Sequence, residues 1–220
     1  MATQKERTDA ATSKILSTAL RLISKQGNWD GISVSDLEKE SGLTRGALFH
    51  HYKDKADLFS AVVERYYFNR ATAENVPDSY RFTLRDFYMY YCSLLSDEIT
   101  RFKIDGIEDI QSAWLHIELS ASDIMSDFEE RCAQKLLDEK GVWNLVICNA
   151  IQSGEIMPTN PLILTNMFFN LCVGATRGDA LINCQTEIEP LKRQLENLYS
   201  LVRSNPNNEN SSETTNINVK

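Results

Sequence analysis

Two short helical segments separated by only Gly42, Leu43 and Thr44 constrain this chain more than any other feature. In the run I-S-V-S-D-L, Ser33 is placed to cap a helix. Asp36 stands three residues on, where a reciprocal capping acid belongs, and Ile32 with Leu37 can staple the entry. The helix so started runs from about Val34 to Ser41 and stops at Gly42, because the residue after a helix often takes a left-handed conformation that glycine enters without strain. Thr44 caps the next helix, Leu43 and Leu48 staple it, and it runs from Arg45 to about Tyr52. Two helices joined by a three-residue turn containing glycine have the spacing of a DNA-binding helix-turn-helix.

The flanking segments complete a small head. From Thr8 to Gln26, Ile15, Leu16, Ala19, Leu20 and Ile23 recur at helical spacing before Gly27. After the pair, Asp54 caps a fourth helix with Asp57 in its first turn, followed by Leu58, Phe59, Val62 and Val63. On a helical wheel the third helix turns Leu48, Phe49 and Tyr52 inward and Gly46, Ala47, His50 and His51 outward. A recognition helix needs small residues where its backbone nears base edges, and Gly46 and Ala47 supply them. Arg45 is the candidate for a bidentate contact to guanine, and His50 reaches bases or backbone. Thr44, His51, Tyr52 and Lys55 are assigned to phosphates, Lys55 because it opens a helix whose free N–H groups already favour an anion. The histidine pair has no third ligand nearby, so no metal and no cofactor is expected.

Beyond residue 70 the pattern stays helical, with helices expected at about 82–101, 107–120, 124–153, 161–182 and 187–203 and no convincing strand. The fold class read from this is all-α: a three-helix helix-turn-helix head joined by a fourth helix to a larger helical regulatory and dimerisation domain. The division expected is 1–54 for the head, 55–203 for the second domain with 55–75 as the linking helix, and 204–220 as a polar, disordered tail.

Charge supports a chain that touches nucleic acid with one end. Residues 1–65 carry 10 Lys+Arg against 9 Asp+Glu, while residues 66–220 carry 13 against 22, so the formal charge of −8 arises outside the head. Five scattered cysteines without a C-x-x-C pair read as reduced thiols and not as a disulfide framework or zinc site. No apolar run approaches membrane-spanning length and no secretory signal opens the chain, so a cytoplasmic protein without membrane attachment is expected.

The run from Ser33 to Phe59, S-V-S-D-L-E-K-E-S-G-L-T-R-G-A-L-F-H-H-Y-K-D-K-A-D-L-F, resembles the signature of the tetracycline-repressor (TetR) family. The resemblance implies an all-helical regulatory domain whose last two helices dimerise. It places DNA contacts on Ser35, Thr44, Arg45, Gly46, Ala47, His50, His51 and Lys55, with Ser33 alongside as the cap. Val34 departs from the pattern, standing where a hydroxyl residue often touches phosphate. About 150 residues resemble the family in length and helical layout alone.

For the second domain, Ile188, Leu191, Leu195, Leu198 and Val202 form an apolar seam, and Leu162, Phe168, Leu171, Ala175 and Ile182 line the helix before it. These helices, about 161–182 and 187–203, are expected to pair with a second copy as a four-helix bundle. Two heads then read a palindromic operator in double-stranded DNA, with half-sites about 34–36 Å apart or a multiple of that spacing. Nine of the chain's twenty aromatics fall within 66–91, and Trp114, His116 and Trp143 follow. Such walls form small-molecule pockets and helical cores alike; Tyr88, Trp114, His116 and Trp143 are the candidate contacts to an unknown small-molecule effector. The function expected is a dimeric repressor released by that effector. The alternative is a DNA-bound interaction protein of nucleoid or division-control type whose second domain has a solid core. No catalytic residue is assigned, because no nucleophile elbow, P-loop or G-x-G-x-x-G is present and His116 and Glu118 fall on different sides of a helix.

Overall fold

The computed structural model describes residues 3–181 and 187–204. Nine α-helices follow one another among these residues: α1 (Gln4–Gln26), α2 (Val34–Ser41), α3 (Arg45–His51), α4 (Lys55–Val62), α5 (Leu84–Ile104), α6 (Ile110–Ile124), α7 (Phe128–Gln152), α8 (Pro161–Leu181) and α9 (Ile188–Val202). The expected tail from residue 205 onward, and Ile182 and Cys184 between α8 and α9, lie outside the described residues. The nearest approach to a strand among them is one antiparallel bridge, between Ile156 and Arg203.

The caps act as the sequence indicates. Ser33 Oγ accepts from Asp36 N at 3.1 Å while an Asp36 carboxylate oxygen accepts from Ser33 N at 2.8 Å. Thr44 Oγ1 accepts from Ala47 N, and Asp54 Oδ1 from Asp57 N. Gly42 ends α2 at φ 68, so its lack of a side chain permits the three-residue turn. Helix α1 begins earlier than its apolar periodicity indicates, because Thr3 and Glu6 form a further reciprocal cap.

Two apolar cores hold these helices. One gathers Ile15, Leu20 and Ile23 of α1 with Leu37, Leu48, Phe59 and Trp29, and continues without a break onto Ile110, Ala113 and Ile117 of α6. Helix α1 thus packs on α6 as well as on its head partners. The other core is built by α5, α7, α8 and α9 around Phe87, Tyr88, Trp143, Val146 and Phe168. Between them, α4 runs into a π-helical turn at Val63–Phe68. The extra residue in such a turn rotates the side chains beyond it about the helix axis, and here both Tyr67 and Phe68 are buried.

The apolar seam expected for dimerisation faces inward. Leu191 and Leu195 of α9 are buried against the chain's own second core, and Ile188, Leu198 and Val202 pack beside them. Phe168, Leu171 and Ala175 of α8 do the same. An isolated chain offers α9 an apolar partner in α5, and intramolecular packing uses the same periodicity that a symmetry mate would. Among the described side chains, the large apolar ones that α8 leaves exposed are Leu162, Ile163 and Met167, with Leu201 on α9.

Candidate functional site

Helix α3 is held from both sides and presents one open face. Leu48 is buried, and the Glu38 carboxylate of α2 accepts a hydrogen bond from Arg45 N at 2.6 Å, tying the start of α3 to α2. Thr44, Arg45, Gly46 and His50 are exposed or partly so, while Ala47 and His51 stand at the edge of that face. A Cβ built at Gly46 meets nothing within 4 Å, so its backbone is bare toward solvent. The Arg45 guanidinium lies over the Phe49 ring at 5.6 Å, which lays the side chain along the helix. Ser35 lies on α2 beside this face, and the Ser33 hydroxyl is engaged with Asp36.

A cavity of about 90 Å³ opens where the π-turn meets α5, α6, α7 and α8. Apolar walls come from Leu95, Leu115, Leu136 and Val173, with Trp114 and Tyr91 beside them. Its polar groups are unusually connected. Tyr67 Oη donates to Glu118 at 2.6 Å, Arg177 donates to the same Glu118 oxygen at 3.0 Å, and Tyr91 Oη donates to Glu139 at 3.2 Å. Burial pushes the Glu139 carboxyl up, against hydrogen bonds from Ala73 N and Tyr91 that hold it down. Burial likewise raises the Tyr67 phenol far above its ordinary value, so it stays a donor. On the outer side of the π-turn, Glu64 and Arg131 form a two-pronged ion pair, and the Arg131 guanidinium covers Phe68 at 3.9 Å. The π-turn that continues α4 is therefore fastened to α7.

The family model for bacterial regulatory proteins of the tetR family matches residues 15–62, the segment that carries this helix-turn-helix. The segment that carries the helix-turn-helix is thus similar to the head of TetR-family regulators. Proteins similar to this segment include the HTH-type transcriptional regulator AcrR of Shigella flexneri, 43% identical over 60 residues that cover 27% of each chain. Another is the HTH-type transcriptional repressor AcnR of Corynebacterium glutamicum, 43% identical over 49 residues, 22% of this chain and 26% of that one. The matches span about a quarter of the length of these relatives. Over the whole chain the likeness is one of fold. The reduced form of NemR from E. coli superposes with a TM-score of 0.61 at 16% identity, covering 90% of this chain and 99% of that one. A TetR-family regulator from Rhodococcus sp. gives 0.63 at 19%, covering 89% and 100%.

The all-helical fold separates the expected site residues into three groups. Gly46, Ala47, His50 and His51, the residues the wheel turns outward, lie on α3 with Arg45, and Thr44 caps its start. Tyr52 and Lys55 do not present their polar ends outward. Tyr52 is 8% exposed with its hydroxyl buried and unpartnered, because it stands at the inward end of α3. Lys55 Nζ donates to the carbonyls of Trp29 at 2.7 Å and Asp30 at 3.2 Å, and lies 5.0 Å from the Trp29 ring. Its burial lowers the pKa from the ordinary lysine value, opposed by Asp30. The ammonium thus ties α4 to the turn after α1. Lys55→Met is expected to lower head stability by about 1 kcal/mol, the scale of partly exposed charged hydrogen bonds. Urea unfolding checks this; unchanged stability with a flattened salt dependence of DNA binding would return Lys55 to the phosphate.

Of the four effector candidates, the cavity receives only Trp114. Tyr88 and Trp143 are fully buried in the second core, and His116 packs against Gly27 of α1, where burial lowers its pKa. An aromatic on an inward stripe is core unless a void lies beside it, and a void has no sequence signature. Tyr67, Arg70, Gln111, Glu118 and Glu139 line the cavity, and none of them is a ligand contact that the sequence pattern picks out. Weak signals exist: Glu139 interrupts the stripe 139-143-146-150, and Gln111, Leu115 and Glu118 share one face of α6. Among the described residues no group of three potential metal ligands assembles, and no helix is long and apolar enough to cross a membrane. Cys92 and Cys172 are buried thiols with pKa values raised by that burial.

Proposed function

We propose that this chain is a homodimeric, sequence-specific DNA-binding transcriptional repressor, released from a palindromic operator when a small molecule occupies the cavity behind α4. The observation that carries the DNA-binding part is the open face of α3, where a bare glycine backbone adjoins an exposed arginine on a capped, braced helix. The names of the head's relatives are those of regulators, one of them a repressor, and not of enzymes. The working division is a head through Asp54 and a regulatory unit from Lys55 onward.

Dimerisation is supported by what α8 leaves uncovered. Ile163, Met167 and Gly174 follow at four- and seven-residue steps on one side of the helix, and a Cβ at Gly174 would meet nothing within 4 Å. Apolar groups beside a smooth glycine surface suit a second helix lying close. Effector release is supported by the cavity's mixed lining, since the interaction-protein alternative anticipates a solid core. Tyr67 both lines the cavity and stands on the turn that continues α4, so a ligand that binds better with Tyr67 displaced shifts the population away from the DNA-bound arrangement.

A footprint on the chain's own promoter region at moderate salt tests the reading. Protection of an inverted repeat is expected, and absence of any protected site overturns it. Within that site Arg45→Ala is expected to cost about 1–3 kcal/mol and to relax preference at one base position per half-site. A loss equal across all sequences would make Arg45 a phosphate contact.

A further inference from the structure

Resting on the effector reading above, we infer that the cavity takes a small monocarboxylate whose apolar body is smaller than an aromatic ring, with Arg70 as its anchor and Gln111 as its second polar contact. Arg70 is half-buried at the wall of the cavity. Its guanidinium lies 4.3 Å from the Tyr67 ring centroid and 5.9 Å from that of Trp114, which fixes its plane between two aromatic walls. Among the described residues it makes one hydrogen bond, from Nη1 to the Tyr67 carbonyl at 3.0 Å, and no ion pair within 4 Å. A guanidinium has five N–H donors in a fixed fork that matches a carboxylate, so Arg70 retains most of its donor capacity.

The other charged groups of the cavity are committed. Glu118 accepts from both Tyr67 and Arg177, and Glu139 accepts from Ala73 N and Tyr91. Arg70 lies within the electrostatic reach of Glu98 and Glu139 but hydrogen-bonds neither, so an anion meets open N–H donors where a cationic ligand meets a like charge. Gln111 is an independent observation pointing to a ligand. It is 6% exposed and lines the cavity, and its amide atoms, which are not among the buried unpartnered ones, reach the open space of the cavity. An accessible amide at the wall can donate a hydrogen bond to a ligand oxygen. Size follows from the volume: about 90 Å³ lies below the roughly 150 Å³ of an engineered cavity that accepts benzene. A compact body pressed against Trp114, Leu95 and Leu136 fits, and an extended multi-ring compound does not.

Isobutyrate, isobutyramide and isobutyramidine share one compact shape and differ in charge, so together they isolate the inference. Titration calorimetry on the full chain without DNA is expected to give isobutyrate about tenfold or more tighter binding than either of the others. Arg70→Met is expected to bring isobutyrate down to the isobutyramide level, and Gln111→Leu to weaken it by about threefold to tenfold with circular dichroism unchanged. Isobutyramide or isobutyramidine binding as well as isobutyrate to the unaltered chain, or no binding by any of the three, overturns the inference whatever the variants do. A gel shift with the same compounds keeps the two readings apart. Isobutyrate that binds and leaves the DNA complex intact refutes effector release but leaves the ligand class standing, and release by isobutyramidine alone does the reverse.

Discussion

Gly46→Leu is expected to abolish operator binding while the head stays folded. The position is on the exposed face of α3, its φ is not in the left-handed region, and an added Cβ meets no neighbour within 4 Å. Nothing in the fold therefore asks for glycine there. Glycine inside a helix costs roughly 0.5–1 kcal/mol relative to a good helix former, so the leucine variant is expected to unfold at equal or slightly higher urea. DNA asks for what the fold does not. A recognition helix lies with its first turn against the base edges, and a four-carbon side chain at that point holds the backbone off the groove. Loss of about a hundredfold or more in affinity for the protected site is expected, equivalent to roughly 2.7 kcal/mol. The paired measurement is a gel shift with a urea titration. Retained affinity would remove α3 from the groove, and lost stability would make Gly46 a scaffold residue.

Gly42, in the turn just before α3, shows the opposite logic. Its φ of 68 closes the turn between α2 and α3, so its identity is fixed by backbone geometry and is visible from the cap residues around it. That contrast explains which parts of the molecule are legible in the sequence. Helix ends are set by local chemistry, so Ser33, Gly42, Thr44 and Asp54 announce α2, α3 and α4 residue by residue. The π-turn at Val63–Phe68 has no such punctuation, and it decides which of Tyr66, Tyr67 and Phe68 point inward. Lys55 misleads because its charge suggests DNA, whereas the carbonyls of Trp29 and Asp30, 26 and 25 residues earlier, capture it. The cavity is least legible. It is a gap between π-turn, α5, α6, α7 and α8, and a gap is a property of how helices fail to meet. Only polar interruptions of inward stripes, Gln111 and Glu139 among them, hint at it.

Trp143→Ala is expected to destabilise the second core by about 3–5 kcal/mol, the cost of removing a large buried aromatic from a site that cannot collapse. Trp143 has no exposed surface and sits against Phe87, Tyr91 and Phe168, with ring centroids 4.7, 5.7 and 5.8 Å away. Those partners come from α5 and α8, so the void left by alanine would be bounded by helices that are themselves pinned by α9 and cannot close on it. A second substitution separates packing from ligand contact. The indole Nε1–H of Trp143 is buried without a partner, a group whose desolvation is uncompensated in the folded chain. Trp143→Phe loses some volume but also removes that orphaned donor, so the two effects oppose each other and the net cost is expected to stay below about 1.5 kcal/mol. Urea midpoints for both variants measure this directly. If alanine left the midpoint unchanged, Trp143 would border a void large enough to hold a ligand, and the wall of the cavity would have to be redrawn through the second core. If phenylalanine cost as much as alanine, the indole nitrogen would be making a hydrogen bond that holds α7 in place. With the expected pair of results, core and cavity separate cleanly: Trp143 fixes the positions of α5, α7 and α8, and Trp114 and Tyr67 face the space those helices leave between them.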